Sequence, residues 1–235
     1  MAGLTHAASM GSPWDAQPVG WLQLLAMGVL VGQLDRCTSA RQAAWTGWFF
    51  TTAWLYGTFW WLYISMHTYG GLNAVLTVLS IVSLAGLLAV YYAVACAVYV
   101  RLAPAGKVFS ALLFAGLWTM AEICRGTWFT GFGWGAAGYA HLDGLALLAR
   151  FIGSYGVGAV AAFLAGFLAL GLSRWLVAIK KIRREGTIQT TGTQGIKAAE
   201  PTDGGRRSRY NKNTGWMTED MFHSVFAAVR KELDA

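Results

Sequence analysis

The feature that most constrains this chain is the run Leu72–Val100, which contains no charged side chain. About 20 apolar residues are enough for a helix to cross the hydrocarbon core of a bilayer, so this run predicts a transmembrane helix. Charged residues make up only 12% of the 235 residues, against about 25% in soluble domains. The hydrophobic fraction is 56%, and the twelve Trp suit aromatic belts at the membrane interfaces. The composition therefore predicts an all-α integral membrane protein.

Five apolar segments are predicted to cross the membrane. They are Val19–Leu34, Ala43–Ser65, Leu72–Val100, Val108–Ala121 and Phe151–Ser173. At about 1.5 Å per residue, the first and the fourth are short for a bilayer. The fourth becomes long enough if it includes the turn Glu122–Arg125. We predict about five transmembrane helices within a polytopic membrane domain over residues 19–184.

The basic residues alternate between the two sides that five crossings define. Nine lie in the connections after the first, third and fifth spans: Arg36, Arg41, Arg101, Lys107, Arg174, Lys180, Lys181, Arg183 and Arg184. The other connections contain only Arg125 and Arg150. Cytoplasmic loops carry the excess of Lys and Arg, so we expect the first set inside and the N-terminus outside. The net charge of +7 is explained by these loops, and no nucleic-acid partner is expected.

The two ends of the chain differ in composition from the membrane domain. Residues 1–18 form an N-terminal segment, and residues 185–217 read as a linker because much of the stretch is rich in Thr, Gly and Gln without periodicity. Residues 218–235 are predicted to form a short amphipathic helix, with Thr218 as its N-cap. We expect this tail to be cytoplasmic.

The stretch 122–139 is the strongest candidate for a functional site. Glu122 and Arg125 are spaced to pair on one helix face, either as a structural ion pair or as functional groups at membrane depth. Glycines alternate with aromatic residues after them, so the stretch is predicted to be an interfacial loop. It is either a re-entrant loop shaping a lipid-accessible cavity or an anchor without a ligand. The candidate lining residues are Glu122, Arg125, Trp128, Phe132 and Trp134.

Cysteine and histidine spacing gives no sign of a metal or cofactor site. Cys37, Cys96 and Cys124 are far apart, and no pair has zinc-ligand spacing. His67, in the turn between the second and third spans, has no neighbouring carboxylate and is interpreted as a turn residue. Gly158, Ala162 and Gly166 form a small-residue ladder that predicts close helix packing. We expect no metal and no cofactor.

Three stretches resemble the membrane domain of the bacterial apolipoprotein N-acyltransferase family. They are Tyr-Gly-Thr-Phe-Trp-Trp-Leu-Tyr-Ile-Ser-Met-His-Thr-Tyr-Gly-Gly at 56–71, Arg-Gly-Thr-Trp-Phe-Thr-Gly-Phe-Gly-Trp at 125–134, and Gly-Ser-Tyr-Gly-Val-Gly at 153–158. The likeness extends from about Ala8 to Trp175. Gly133 departs from it, since the family usually has Pro there. The segment before residue 19 resembles the tail of the family's first helix.

The resemblance implies an inner-membrane enzyme that transfers an acyl chain from a phospholipid to the N-terminal diacylglyceryl-cysteine of an apolipoprotein, a step of lipoprotein biosynthesis. In the family, a periplasmic nitrilase-like domain carries a Glu-Lys-Cys triad whose Cys forms a thioester with the acyl group. No cysteine follows Cys124, and only Lys212, within a five-residue match at 209–213, resembles a triad segment. We therefore assign no catalytic residue in this chain.

The expectation is a truncated member of this acyltransferase family that is inactive alone. Its partners would be membrane phospholipid and, by resemblance, an apolipoprotein. The alternative is a non-catalytic membrane module that binds lipid or a partner through the loop of glycines and aromatics. A small transporter is disfavoured because the spans contain almost no charged residues.

Overall fold

The computed structural model describes residues 1–11, 17–104, 106–142 and 144–196. Helix α1 covers Ala2–Ala8, α2 Gly20–Leu34, α3 Ala40–Thr58, α4 Trp61–Tyr63, α5 Ala74–Leu102, α6 Lys107–Thr127 and α7 Ala146–Ile196. A π-helical turn follows α4 over Ile64–Tyr69, and 3₁₀ turns occupy Trp128–Thr130 and Ala137–His141. No strand occurs within these described ranges, so the all-α class is confirmed.

Three helices are long and apolar enough to cross a membrane: Ala74–Leu102, Lys107–Thr127 and Ala146–Ser173. They correspond to the third, fourth and fifth predicted spans, and the fourth does include the turn Glu122–Arg125. Helix α2 is apolar but has only 15 residues, and α3 has 19 residues of mixed composition. A multi-pass membrane protein is therefore confirmed, while the crossings by α2 and α3 stay predictions.

Local chemistry explains where the helices begin and end. The Ser39 side chain accepts a hydrogen bond from Gln42 N (3.2 Å) and caps α3, and the Asn73 side chain does the same for Val75 N (2.9 Å) at α5. Pro104 follows the end of α5, where it cannot continue a helix. Helix α7 bends at Gly153, whose φ of 68° suits only glycine among common residues.

Aromatic side chains from three helices fill the centre of the bundle. Trp54 of α3 stacks on Trp118 of α6 with ring centroids 5.6 Å apart, and Tyr92 of α5 lies 4.8 Å from Trp118. His6 of α1 completes the cluster at 4.4 Å from Trp54. All four side chains are buried. The short helix α1 therefore belongs to the core and is not a loose N-terminal extension.

Small residues set the distances between neighbouring helices. A Cβ at Gly47 of α3 would lie 2.6 Å from Cys96 Sγ and 3.2 Å from the Tyr92 carbonyl oxygen, both on α5. On α7, a Cβ at Gly166 would lie 3.5 Å from Ala111 Cα of α6. The small-residue ladder therefore lies against α6, in the packing role expected of it.

One compact unit comprises Met1–Gly171. Beyond it, α7 continues as helix to Ile196, so the stretch 185–196 that was predicted as the start of a linker is helical. The remainder of the predicted linker, the predicted helix at 218–235 and Lys212 lie outside the described residues.

Replacing Gly47 by Ala is expected to destabilise the bundle, because the added methyl group overlaps Cys96 and approaches the α5 backbone. Overpacking of this kind costs about 1–3 kcal/mol. Thermal unfolding of the purified variant in detergent measures the change. Gly116→Ala is the matched control, since nothing lies within 4 Å of a Cβ at that exposed position on α6. Equal melting temperatures for the two variants would contradict the close α3–α5 contact.

Candidate functional site

The loop between α6 and α7 folds back on itself through its glycines. Phe132 N donates to the Arg125 carbonyl (2.8 Å) and Gly131 N to the Trp128 carbonyl (2.9 Å), which closes the turn after α6. Gly131 has a φ of 73°, and a Cβ there would collide with the Gly126 carbonyl. Phe129 is the only non-glycine residue with positive φ in the described chain (φ 52°, ψ 50°). A bulky residue rarely adopts this conformation, so the turn is locally strained.

The buried side chain of Arg125 holds the first half of the loop in place through hydrogen bonds. Its Nη1 donates to the carbonyl oxygens of Phe132 (2.8 Å) and Trp134 (2.9 Å), and its Nε donates to the Tyr92 hydroxyl (3.0 Å). The guanidinium also lies 5.7 Å from the ring centroid of Trp54 and 6.0 Å from that of Tyr92. The side chain is fully buried. Carbonyl dipoles and aromatic faces therefore stabilise this charge inside the bundle.

Glu122 fastens the second half of the loop. Its Oε1 accepts a hydrogen bond from Ala137 N (2.7 Å), at the start of the 3₁₀ turn Ala137–His141. A carboxylate at this position satisfies a backbone donor that the turn leaves free. Gly158 of α7 makes room for it, because a Cβ there would lie 3.2 Å from Glu122 Oε2. The carboxylate is therefore held between the loop and α7.

The ion pair between Glu122 and Arg125, one of the two alternatives for this spacing, is not formed among the described residues. Both side chains leave α6 on neighbouring turns, as the spacing predicted, but each is occupied by backbone groups of the loop. Backbone N–H and C=O groups at membrane depth are not exposed to bulk water, so their hydrogen bonds must be formed within the protein. That requirement decides which partners the two side chains take.

A third attachment joins the loop to α2. Gln23 Nε2 donates to the Ala137 carbonyl (2.7 Å), and the distance from Gln23 Oε1 to His141 Nε2 is 2.6 Å. Since the amide group uses its NH₂ on Ala137, its oxygen accepts from His141 Nε2, which assigns the proton to that nitrogen. Burial lowers the pKa of His141 below its ordinary value, in agreement with a neutral ring.

Sequence reasoning missed Gln23 and Tyr92 as partners of this loop. Gln23 had a usable signal, because an amide side chain within an apolar span needs a partner. Tyr92 had none, since it lies among apolar residues of α5 and belongs to the aromatic composition of the spans. His67, interpreted as a turn residue, lies in the π-helical turn with Nδ1 2.7 Å from the Leu72 carbonyl oxygen.

The loop and α5 together enclose an apolar groove of about 600 Å³. Its lining residues are Leu84, Leu87, Leu88, Val90 and Tyr91 of α5 and Trp128, Phe129, Gly131 and Phe132 of the loop. Leu84 is ten residues from the first residue of α5, or about 15 Å along the helix. The loop thus lies beside the middle of α5 and not at its end. We call this feature the lateral groove.

The structure separates the five candidate lining residues. Trp128 and Phe132 line the lateral groove, and Trp128 is 59% exposed. Glu122 and Arg125 are buried beneath the loop and are not among the residues that line the groove. Trp134 is 58% exposed, its ring centroid lies 5.3 Å from that of Trp61, and it is not among the residues that line the groove. No trio of His, Cys, Asp or Glu side chains is placed to hold a metal ion within the described ranges.

Arg125→Lys is expected to loosen the loop, because an ammonium lacks the planar fork that holds two carbonyls and Tyr92 at once. Each lost hydrogen bond to the charged group costs about 1.5–3 kcal/mol, or roughly ten- to hundredfold faster exchange of loop amides. Hydrogen–deuterium exchange of a peptide over 126–140 measures the effect. Arg150→Lys, at an exposed position, is the control. Unchanged exchange in the Arg125 variant would show that other contacts hold the loop.

Residues 2–167 match the family described as the apolipoprotein N-acyltransferase N-terminal domain. The chain is 51% identical over 170 residues to an apolipoprotein N-acyltransferase of Verminephrobacter eiseniae and 39% identical over 166 residues to one of Ralstonia nicotianae. These alignments cover 70% and 68% of this chain and 32% of each relative. The chain thus spans about a third of the length of the curated relatives it matches. The family match covers most of the chain, and it includes α5, α6 and the loop that encloses the lateral groove. The chain therefore belongs to the apolipoprotein N-acyltransferase family through its N-terminal membrane domain.

Proposed function

We propose that this chain is the lipid-binding membrane module of an apolipoprotein N-acyltransferase, and that its lateral groove holds an acyl chain of the phospholipid donor. The proposal depends chiefly on the groove itself, whose walls are an apolar face of α5 and an aromatic loop. A volume of about 600 Å³ is within the range of small-molecule sites, which is about 300–1,000 Å³.

The composition of the groove favours a lipid over a polar ligand. Its lining side chains are aliphatic or aromatic, and several of them are exposed, including Leu87 at 69% and Phe129 at 91%. At membrane depth an acyl chain exchanges neighbouring lipid tails for these walls without losing a hydrogen bond, whereas a polar ligand would leave its polar groups unsatisfied there. The strained Phe129 holds its ring at the groove, an arrangement that packing alone does not require.

We assign acyl transfer itself to none of the residues of this chain. The family resemblance places the nucleophilic cysteine, its base and its lysine in a nitrilase-like domain. Cys37 Sγ lies 3.3 Å from the Gln33 carbonyl oxygen and 3.9 Å from Thr46 Oγ1, neither of which is a base. Cys96 is buried against Gly47. We therefore infer that the membrane module alone presents lipid and does not form a thioester.

We further infer an inner-membrane location with the lateral groove toward the outer side and the C-terminal tail in the cytoplasm. Arg101 and Lys107 lie where α5 ends and α6 begins, at the opposite end of α6 from the loop. This separation supports the orientation given by the excess of basic residues in the first set of loops.

A phospholipid with a photoreactive group in its acyl chain is expected to crosslink to peptides that contain the lining residues of α5 or of 128–132. Leu84→Trp should lower this yield several-fold, since the larger ring fills the groove. Val82→Trp is the matched control, because Val82 is exposed on the same helix outside the groove. Crosslinks spread evenly over the lipid-facing helices, or equal yields from both variants, would contradict the proposed lipid site.

Expression in cells depleted of their own apolipoprotein N-acyltransferase tests activity and orientation together. With a reporter fused after Ala235, we expect no restored growth and a cytoplasmic reporter. An intact enzyme of the family supplies the positive control. Restored growth would show that this chain carries a catalytic group, and a reporter on the outer side would overturn the assigned orientation.

A further inference from the structure

Phe129 combines a strained backbone with a side chain that the fold leaves exposed. Its φ of 52° and ψ of 50° lie in the left-handed region, and it is the only non-glycine residue with a positive φ in the described chain. Bulky side chains rarely adopt this conformation, because Cβ comes too close to the following carbonyl oxygen. The side chain is nevertheless 91% exposed. Phe129 therefore costs the fold stability without being buried by it.

The turn around Phe129 does not require a phenylalanine. Gly131 N donates to the Trp128 carbonyl (2.9 Å), so Phe129 is the first of the two central residues of a four-residue turn. Turns with a positive φ at this position favour Gly, Asn or Asp. Phe132 N donates to the Arg125 carbonyl (2.8 Å) and fixes the backbone on both sides of the turn. A residue with less strain at position 129 would thus serve the turn better.

The neighbouring aromatic residues of the loop pack within the protein, and Phe129 does not follow them. The Trp128 ring centroid lies 6.1 Å from that of Tyr91, and the Phe132 centroid lies 4.9 Å from that of Phe59. Within the described part of the chain Phe129 forms no such ring pair, although it lines the lateral groove. The role of its side chain therefore has to be sought in the groove.

General contact with lipid does not explain the strain. Lipid tails are as apolar as a hydrocarbon side chain, so exposure to bulk lipid supplies no hydrophobic stabilisation. Leu87 and Val90 also line the groove and are exposed, but they lie within the regular helix α5. What can offset strain at Phe129 is close packing against a molecule held in one place, since dispersion attraction depends on many near contacts.

We propose that Phe129 is the residue that closes the lateral groove on a bound acyl chain, with the chain between its ring and the aliphatic side chains of α5. This inference rests on the proposed function, because it takes the acyl chain as the occupant of the groove. The strained backbone holds the ring in place for the ligand at the expense of the turn. Retention of lipid and stability of the fold therefore favour different residues at position 129.

Phe129→Gly separates these two quantities. Glycine adopts the left-handed conformation freely and little buried surface is lost, so the melting temperature in detergent should equal or exceed that of the unmodified chain. Crosslinking of a phospholipid with a photoreactive acyl chain should fall several-fold. The yield is measured on the α5 peptide that contains Leu84 and Tyr91, because the substitution leaves that peptide unchanged.

Tyr139→Gly is the matched control. Tyr139 is another exposed aromatic residue of the loop (52%), but it has no positive φ and does not line the groove. Glycine relieves no strain there and adds freedom to the unfolded chain, so the melting temperature should fall. The crosslinking yield on the α5 peptide should stay the same.

Phe129→Asn repeats the test with a second residue that tolerates the left-handed conformation. A lower melting temperature, or failure to fold, in both Phe129 variants would show that the ring supports the fold and would overturn the inference. An unchanged yield in both would overturn it as well, while groove crosslinks in the unmodified chain would leave the proposed function standing. Crosslinks of the unmodified chain spread evenly over the lipid-facing helices would overturn both.

Discussion

The hydrogen bonds from Arg125 to the carbonyls of Phe132 and Trp134 are the interaction on which the rest of this structure depends. A non-helical backbone beside the middle of a membrane helix exposes polar groups that lipid cannot satisfy. The guanidinium supplies several donors in a rigid fork and meets two carbonyls at once. Glu122 does the complementary task for the Ala137 amide. Two side chains one turn apart on α6 thereby allow an irregular loop to persist at this depth.

The lateral groove follows from this attachment. With the loop held down, Trp128, Phe129 and Phe132 lie against α5 and complete a wall that α5 alone does not have. The strain at Phe129 is tolerated because the flanking hydrogen bonds fix the backbone on both sides. One face of the loop is buried and carries the hydrogen bonds to Arg125 and Glu122. The other face is apolar, lines the lateral groove and is open to the surroundings of the bundle.

Most of the helical architecture was predictable because it depends on local properties. The uncharged run Leu72–Val100 became α5, and the apolar stretch from Val108 became α6 once Glu122 and Arg125 were included. The same reasoning selected the loop after α6 as the candidate site and named Trp128 and Phe132, two residues that line the groove. It also named Glu122 and Arg125, which the structure buries beneath the loop, because a charge pattern shows which side chains share a helix face and not whether a loop covers them.

The sequence by itself determined that this chain is an all-α, multi-pass membrane protein with one polar turn and one loop of glycines and aromatics. Those properties depend on composition, run length and residues within a few turns of each other. Only the tertiary structure decided the partners of that polar turn. Gln23 forms hydrogen bonds with Ala137 and His141, each more than 100 residues away in the sequence. Arg125 of α6 donates to the Tyr92 hydroxyl of α5. Such contacts are selected by the need to satisfy buried polar groups after the helices have packed, so no local pattern in the sequence specifies them.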